Sequence, residues 1–199
     1  MKVRQLAMAT TGLTFVTVVS GALVAGNDAG RAYNVFPHMM PDGQWLPPKE
    51  ELFGDPSNNN NNNNDRFKWM THSTAYVQLQ HRILGMTTAT CGLGLAIAGF
   101  LYKKQLTPQA RIGLYTMGGI AVSQASLGIV TLLSYVPLHL AAAHQLGSLA
   151  LLTSGLFTVH SLRYISPRIL TKTAAVTTRN LPYHVPLPKN ILLHKHSPV

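Results

Sequence analysis

Two histidines, His81 and His144, lie inside long uncharged stretches of the sequence, where an ionisable side chain is costly and is therefore a candidate functional group. Counted from the same face of a membrane bundle, His81 lies about 12 Å deep and His144 about 8 Å deep, at the helical rise of about 1.5 Å per residue. Two neutral imidazoles that face each other across a helical bundle can hold a haem iron from both sides. The types and depths of these residues therefore predict a bis-histidine haem site.

The residues around the two histidines are small, which leaves room for a flat macrocycle. Those that share a helix face with one of the histidines are Gly85, Thr88, Ala141, Gly147 and Ser148. Arg82 follows His81 at the same level of the membrane, where its guanidinium could pair with a haem propionate or extend to the membrane interface. We expect His81 and His144 to bind the iron and Arg82 to contact the cofactor, while the catalytic residues stay unknown.

Simpler roles exist for histidines within a membrane. A single one is often hydrogen-bonded to a neighbouring helix and does no more. A zinc site is less favoured than haem, because no acidic residue lies within the uncharged stretches to complete four ligands. His72 and His139 lie at the outer boundary of the membrane, and His160 at the opposite end of its stretch has an expected structural role. Gln124 and Gly128, four residues apart, could form a polar contact across a close helix crossing.

The composition is that of a membrane protein. Hydrophobic residues make up 46% of the 199 positions and charged residues only 11%, whereas soluble proteins average about 25% charged residues. The net charge of +10 could indicate nucleic-acid binding, but the basic residues form short clusters between uncharged runs rather than a basic stripe interleaved with aromatic residues. We therefore expect lipid as the surroundings and no nucleic acid as a partner. The single cysteine, Cys91, excludes an intramolecular disulfide.

Uncharged runs long enough to cross a bilayer predict four transmembrane helices. The runs are 5–26, 83–102 and 112–162. Pro137 divides the last run, because proline lacks a backbone donor and disfavours helix at the residue before it. The helices are predicted at 5–26, 73–102, 110–135 and 139–163, with Thr107 as the N-cap and Pro108 as the opening residue of the third. The predicted fold class is all-α, an integral membrane four-helix bundle.

The distribution of charge predicts the orientation of the bundle. All six acidic residues lie between positions 27 and 71, whereas basic clusters precede the first span, join the second to the third, and follow the fourth. The predicted segments are a first span (1–26), an acidic loop (27–71), three further spans (72–163) and a basic tail (164–199). In a mitochondrion the acidic loop would face the intermembrane space and the basic tail the matrix. A run of Asn at 58–64 is predicted to be disordered. A secretory signal at the N-terminus is disfavoured, because the apolar run is longer than the usual 7–15 residues.

Three strings of residues, in order, carry a resemblance to a known family. They are SGALVAGNDAGRAYNVFPHM, VQLQHRILG and QASLGIVTLLSYVPLHLAAAHQLGSL, within roughly residues 12–160. They resemble the heme A synthase family of cytochrome oxidase assembly, in its C-terminal half. The family's corresponding segments are AG-x-x-AG-x-x-YN-x-FP-x-M, V-Q-F-x-H-R and Q-x-x-LGI-x-TL…VP…LA-x-x-HQ, with Leu79 here in place of the usual aromatic residue.

The resemblance implies half of an eight-helix, two-repeat protein of the mitochondrial inner membrane. In the family the pair that matches His81 and His144 ligates a haem b. The implied activity is that of an oxidoreductase, which oxidises the C8 methyl of haem O to a formyl group and so makes haem A. Electrons come from an external donor such as a ferredoxin.

The chain lacks counterparts of the family's N-terminal half, which carries a second histidine pair and a glutamate. The absence of an Arg- and Ser-rich presequence ahead of Met1 also suggests the rear part of something longer. We therefore expect this chain to act only together with the N-terminal half of the enzyme. Two other interpretations remain open, a stand-alone bis-histidine membrane cytochrome that transfers electrons and a haem-free structural or assembly factor.

Overall fold

The structure is a computed structural model that describes residues 2–53 and 68–163. In these ranges every regular element is helical. The elements are α1 (Lys2–Gly26), a 3-10 turn (Ala29–Arg31), α2 (Lys49–Phe53), α3 (Lys68–His72), α4 (Thr74–Leu101), α5 (Pro108–Leu133) and α6 (Leu138–Ser161). The Asn run at 58–64 and the basic tail at 164–199 lie outside the described residues, so the expectations for them stay predictions.

The four long helices are long and apolar enough to cross a membrane, which confirms the predicted all-α membrane bundle. The start of α5 follows its predicted chemistry, because Thr107 is the N-cap, Pro108 opens the helix, and the Thr107 side chain accepts the Ala110 N–H at 3.2 Å. Helix α1 begins at Lys2, three residues earlier than predicted. The short helices α2 and α3 were not predicted, since five residues are too few to display a helical period.

The connection between α5 and α6 is a tight reversal set by Pro137. Helix α5 ends at Leu133, and Tyr135 and Val136 then take left-handed backbone angles, with φ of 61° and 56°. The Val136 N–H donates to the Thr131 carbonyl at 2.9 Å, which satisfies one of the orphaned carbonyls of the last turn. The right-handed helical conformation is disfavoured at Val136 because proline follows it. The chain therefore turns here and resumes as α6.

The long helices form a ring in which each packs against two neighbours. Helix α1 contacts α4 and α6, and α5 closes the ring between α4 and α6. The segment after α1 reaches the connection between α5 and α6, since Asn34 Nδ2 donates to the Leu132 carbonyl at 2.9 Å and Gly30 lies against Val136. Both connections thus lie at the same end of the bundle, as the predicted alternation of spans requires.

Many of the buried positions in the ring are small or polar residues, and many large apolar residues lie on its outside. Buried positions on α5 include Gly113, Gly118 and Ala121, whereas Phe100 and Ile112 are each 60% exposed. A soluble protein would leave such large apolar side chains in water. In a bilayer they face lipid tails, and small residues let the helix backbones approach closely.

The closest approach of α4 and α5 is a crossing of glycines. A Cβ atom built on Gly118 would lie 2.8 Å from the Gly92 carbonyl oxygen and 2.6 Å from the Ala96 Cβ. No side chain fits this gap without a shift of one helix. The adjacent Gly119 has nothing within 4 Å of its own Cβ position.

We predict that Gly118→Ala destabilises the bundle, by about 1–3 kcal/mol, because the added methyl group forces α4 and α5 apart. Gly119→Ala adds the same methyl group into open space and serves as the matched control, with unchanged or slightly higher stability. The measurement is thermal unfolding of both variants in the same detergent. Equal midpoints for the two variants would contradict the glycine crossing.

Candidate functional site

A cavity of about 600 Å³ lies inside the bundle, toward the end that carries the acidic loop. All four long helices line it, and among its lining residues are His81 of α4 and His144 of α6. Cavities that bind small molecules and cofactors range over about 300–1,000 Å³. The cavity is therefore large enough for a cofactor and has both candidate ligands in its wall.

The two histidines meet across this cavity. Their ring centres are 6.5 Å apart, and the ring planes are nearly perpendicular at 86°. An imidazole nitrogen binds a transition metal at about 2 Å and lies about 1 Å from its own ring centre, so two imidazoles on opposite sides of one metal have ring centres about 6 Å apart. The observed separation of 6.5 Å is close to this value.

The ring of His81 is held by α1. Its Nδ1 lies 2.8 Å from the Ser20 hydroxyl oxygen, and Gly21 lies beneath the ring, with a built Cβ only 3.1 Å from His81 Cε1. Further into the bundle, the hydroxyls of Thr17 and Thr88 lie 2.9 Å apart and join the same two helices. The antiparallel register of α1 and α4 is thus fixed by two polar contacts, one of them to the candidate ligand.

The ring of His144 is held by α5 in a different way. A Cβ atom on Gly128 would lie 2.9 Å from His144 Cε1. Any larger residue at this position would therefore push the imidazole ring out of its observed position. Gln124 Nε2 donates to the main-chain carbonyl of His144 at 2.8 Å. The carboxamide of Gln124 in turn lies against Gly147, where its Oε1 occupies the space that a Cβ atom would need. His144 Nδ1 is buried and has no hydrogen-bond partner.

Arg82 lines the cavity, and both hydrogen-bond acceptors of its guanidinium are uncharged main-chain carbonyls. Its Nη1 donates to the His38 carbonyl at 2.9 Å and its Nη2 to the Tyr33 carbonyl at 2.6 Å. Its Nε is buried and has no hydrogen-bond partner. The Nη contacts to loop carbonyls agree with one of the two sequence-based alternatives, extension to the interface. A contact between Arg82 and a haem propionate stays a prediction.

The segment that Arg82 holds is tied to the start of α4 as well. The Tyr33 carbonyl accepts a second hydrogen bond, from Gln78 Nε2 at 3.1 Å, and the Tyr33 hydroxyl donates to the Glu51 carboxylate. Ser73, the N-cap of α4, donates to the Glu51 carbonyl at 2.7 Å. Burial, and then the hydrogen bond and charge of Glu51, raise the pKa of Tyr33 to about 12, so this hydroxyl stays a donor at neutral pH.

The structure brings His81, His144 and Arg82 together in the wall of one cavity. Neither His72 nor His139 belongs to the described residues that line the cavity, and the exposed His160 lies in the last turn of α6. Sequence reasoning missed Ser20, as well as Asp28 and Arg31, which line the mouth of the cavity. No spacing signal identifies Ser20, because which face of α1 meets α4 is not encoded in an apolar run.

Comparison with known proteins agrees with this architecture. The family model of the cytochrome oxidase assembly protein matches residues 1–156. The chain is 41% identical to heme A synthase COX15 of Homo sapiens over 166 residues, covering 83% of this chain and 37% of that protein. For heme A synthase COX15 of Arabidopsis thaliana the identity is 37% over 179 residues, covering 90% and 36%.

A third relative joins two functions in one polypeptide. The heme A synthase-mitochondrial ferredoxin fusion protein of Schizosaccharomyces pombe is 40% identical over 146 residues, covering 73% of this chain and 24% of the fusion protein. No solved structure matches the chain. The chain thus spans little more than a third of the length of the heme A synthases it resembles. Because the family model covers most of its residues, the chain belongs to the COX15-CtaA family of cytochrome oxidase assembly proteins.

Proposed function

We propose that His81 and His144 would hold the iron of one haem b inside the bundle. The observation that carries this proposal is the 6.5 Å separation of the two ring centres across a cavity of about 600 Å³. The buried Nδ1 of His144 has no hydrogen-bond partner, so this nitrogen does not serve the structural alternative, a hydrogen bond to a neighbouring helix.

The residues of the chain would orient and enclose this cofactor. Gly21 and Gly128 set how far each imidazole can turn, and Arg82 offers a positive charge in the cavity wall to a haem propionate. Bound haem supplies reversible one-electron chemistry, whose potential depends on its ligands and on their hydrogen bonds. The proposed role of such a haem is electron transfer or structure.

We infer from the family that the chain contributes this haem b to a heme A synthase. The reaction is oxidation of the C8 methyl of haem O to a formyl group, which makes haem A. The four long helices contain no carboxylate, so a catalytic acid or base of that kind would come from the rest of the enzyme. The proposed partners are haem O and haem A, the N-terminal half of the enzyme, and membrane lipid.

The electron donor and the location are proposed on the same basis. A relative that is a fusion with a mitochondrial ferredoxin favours a ferredoxin as the donor. Four candidate membrane spans favour a multi-pass membrane protein, and we place it in the mitochondrial inner membrane. The second candidate function is a stand-alone membrane cytochrome that transfers electrons, in which the same two histidines would bind the haem iron.

We predict that the purified chain has the absorption spectrum of a low-spin b-type haem, and that His81→Ala and His144→Ala each abolish it. Each variant removes one of the two ligands that face each other across the cavity. His139→Ala is the matched control, since His139 is exposed and does not line the cavity, and this variant keeps the full spectrum. Retention of unaltered low-spin haem by both ligand variants would refute the ligand assignment.

We predict that Arg82→Gln lowers haem affinity by about 10- to 100-fold, the usual worth of a hydrogen bond to a charged group. It also lowers the midpoint potential, because a nearby positive charge favours the ferrous state. Arg111→Gln is the control, since Arg111 also has a buried Nε without a partner but lies in the first turn of α5, at the other end of the bundle. Equal haem retention and equal midpoint potential in the two variants would contradict the proposed contact between Arg82 and the haem.

The need for a partner is tested in yeast cells that lack their own heme A synthase. We expect no haem A in cells that carry this chain alone, and haem A in cells that also carry the N-terminal half of a heme A synthase. The same pair with His81→Ala is the control and makes none. Haem A from the chain alone would contradict the proposed dependence, whereas haem b binding without haem A in the paired cells would favour the stand-alone cytochrome.

A further inference from the structure

The hydroxyl of Ser20 has one proton and two close polar neighbours. Ser20 Oγ donates to the main-chain carbonyl of Thr17 at 2.8 Å, within the last turns of α1. The same oxygen lies 2.8 Å from His81 Nδ1. With its proton on the Thr17 carbonyl, Ser20 Oγ is the acceptor in this second contact, which requires the hydrogen on Nδ1 of His81.

This arrangement selects one tautomer of His81. A neutral imidazole has one N–H and one lone pair, so a proton on Nδ1 leaves the lone pair on Nε2. Metal-ligating histidines commonly donate their other N–H in this way, which fixes the ring orientation and raises the basicity of the ligand. Ser20 is only 3% exposed, so water does not compete for the contact.

His144 has no equivalent partner. Its Nδ1 is buried without a hydrogen bond, and its ring is held by packing against Gly128 and by the Gln124 contact to its main chain. Two imidazoles that look equivalent in the sequence therefore differ in their hydrogen bonding. The ring of His81 is the stronger electron donor of the two.

We propose that Ser20 is a positioning residue, which fixes the Nε2 lone pair of His81 toward the iron and lowers the reduction potential of the haem. This inference rests on the proposed haem site and deepens it. A more basic axial ligand stabilises the ferric state relative to the ferrous state, because the ferric ion carries the higher charge. The hydroxyl of one serine on α1 thus sets a property of a cofactor held by α4 and α6.

The test is the midpoint potential of the haem-loaded full chain and of its Ser20→Ala variant. We expect Ser20→Ala to retain haem and to raise the potential, on the order of 59 mV for a tenfold loss of preference for the ferric state in a one-electron couple. Ser126→Ala is the matched control, because the Ser126 hydroxyl bonds only the Val122 carbonyl of its own exposed turn. This variant is expected to keep the parent's potential.

Ser20→Thr keeps a hydroxyl that can bond the preceding turn, so it is expected to restore the potential and the ferric low-spin resonance spectrum of the parent. An unchanged potential in Ser20→Ala would overturn the inference while leaving the haem site standing. A lower potential would also overturn it, since it would mean that Ser20 donates to Nδ1. A parent chain that binds no haem would instead overturn the proposed site, and with it the role of Ser20.

Discussion

The cost of a polar group inside a hydrocarbon layer governs how this bundle is built. Water is absent at the depth of His81 and His144, so each polar atom near them must find its partner within the protein. The threonines of α1 meet this demand by donating to carbonyls one turn back, as Thr10, Thr11 and Thr14 do. Against this background an unpartnered imidazole nitrogen in the cavity wall is an exception, and exceptions of this kind mark functional sites in membrane proteins.

The helices pack closely enough for polar atoms on one helix to reach hydrogen-bond partners on the next. Gly92 and Gly118 bring the backbones of α4 and α5 into contact, and Gly147 admits the carboxamide of Gln124 between α5 and α6. Glycine is expensive in an isolated helix, but packing between helices in lipid depends on small residues. The same glycines that weaken each helix alone therefore set the spacing at which the two imidazoles face each other.

The sequence was sufficient for the spans and for the pair of histidines, and insufficient for the residues that orient them. Uncharged length located all four long helices, and the chemistry of Thr107 and Pro108 located the start of α5. Counting residues from the same face of the membrane placed His81 and His144 at a similar depth. Ser20 was not found, because helices in lipid are apolar on every side and their rotation about the long axis leaves no hydrophobic period to read.

Gln124 and Gly128 show an intermediate case. Their spacing indicated a polar contact at a close crossing, and the structure places that contact at His144, with Gln124 on its carbonyl and Gly128 beneath its ring. The type of contact could be predicted from residue types on one helix. Its partner could not, because the partner depends on the axial shift between α5 and α6, which the turn at Pro137 determines.

Arg82 links the membrane interior to the loop at one end of the bundle. Carbonyl oxygens of Tyr33 and His38 solvate its guanidinium but do not cancel its charge. A positive charge in a wall of low dielectric constant acts over a longer distance than in water, and it favours an anionic group in the cavity beside it. The loop therefore does more than connect two spans, because by holding Arg82 with neutral acceptors it keeps a positive charge in the wall of the cavity that the two histidines line.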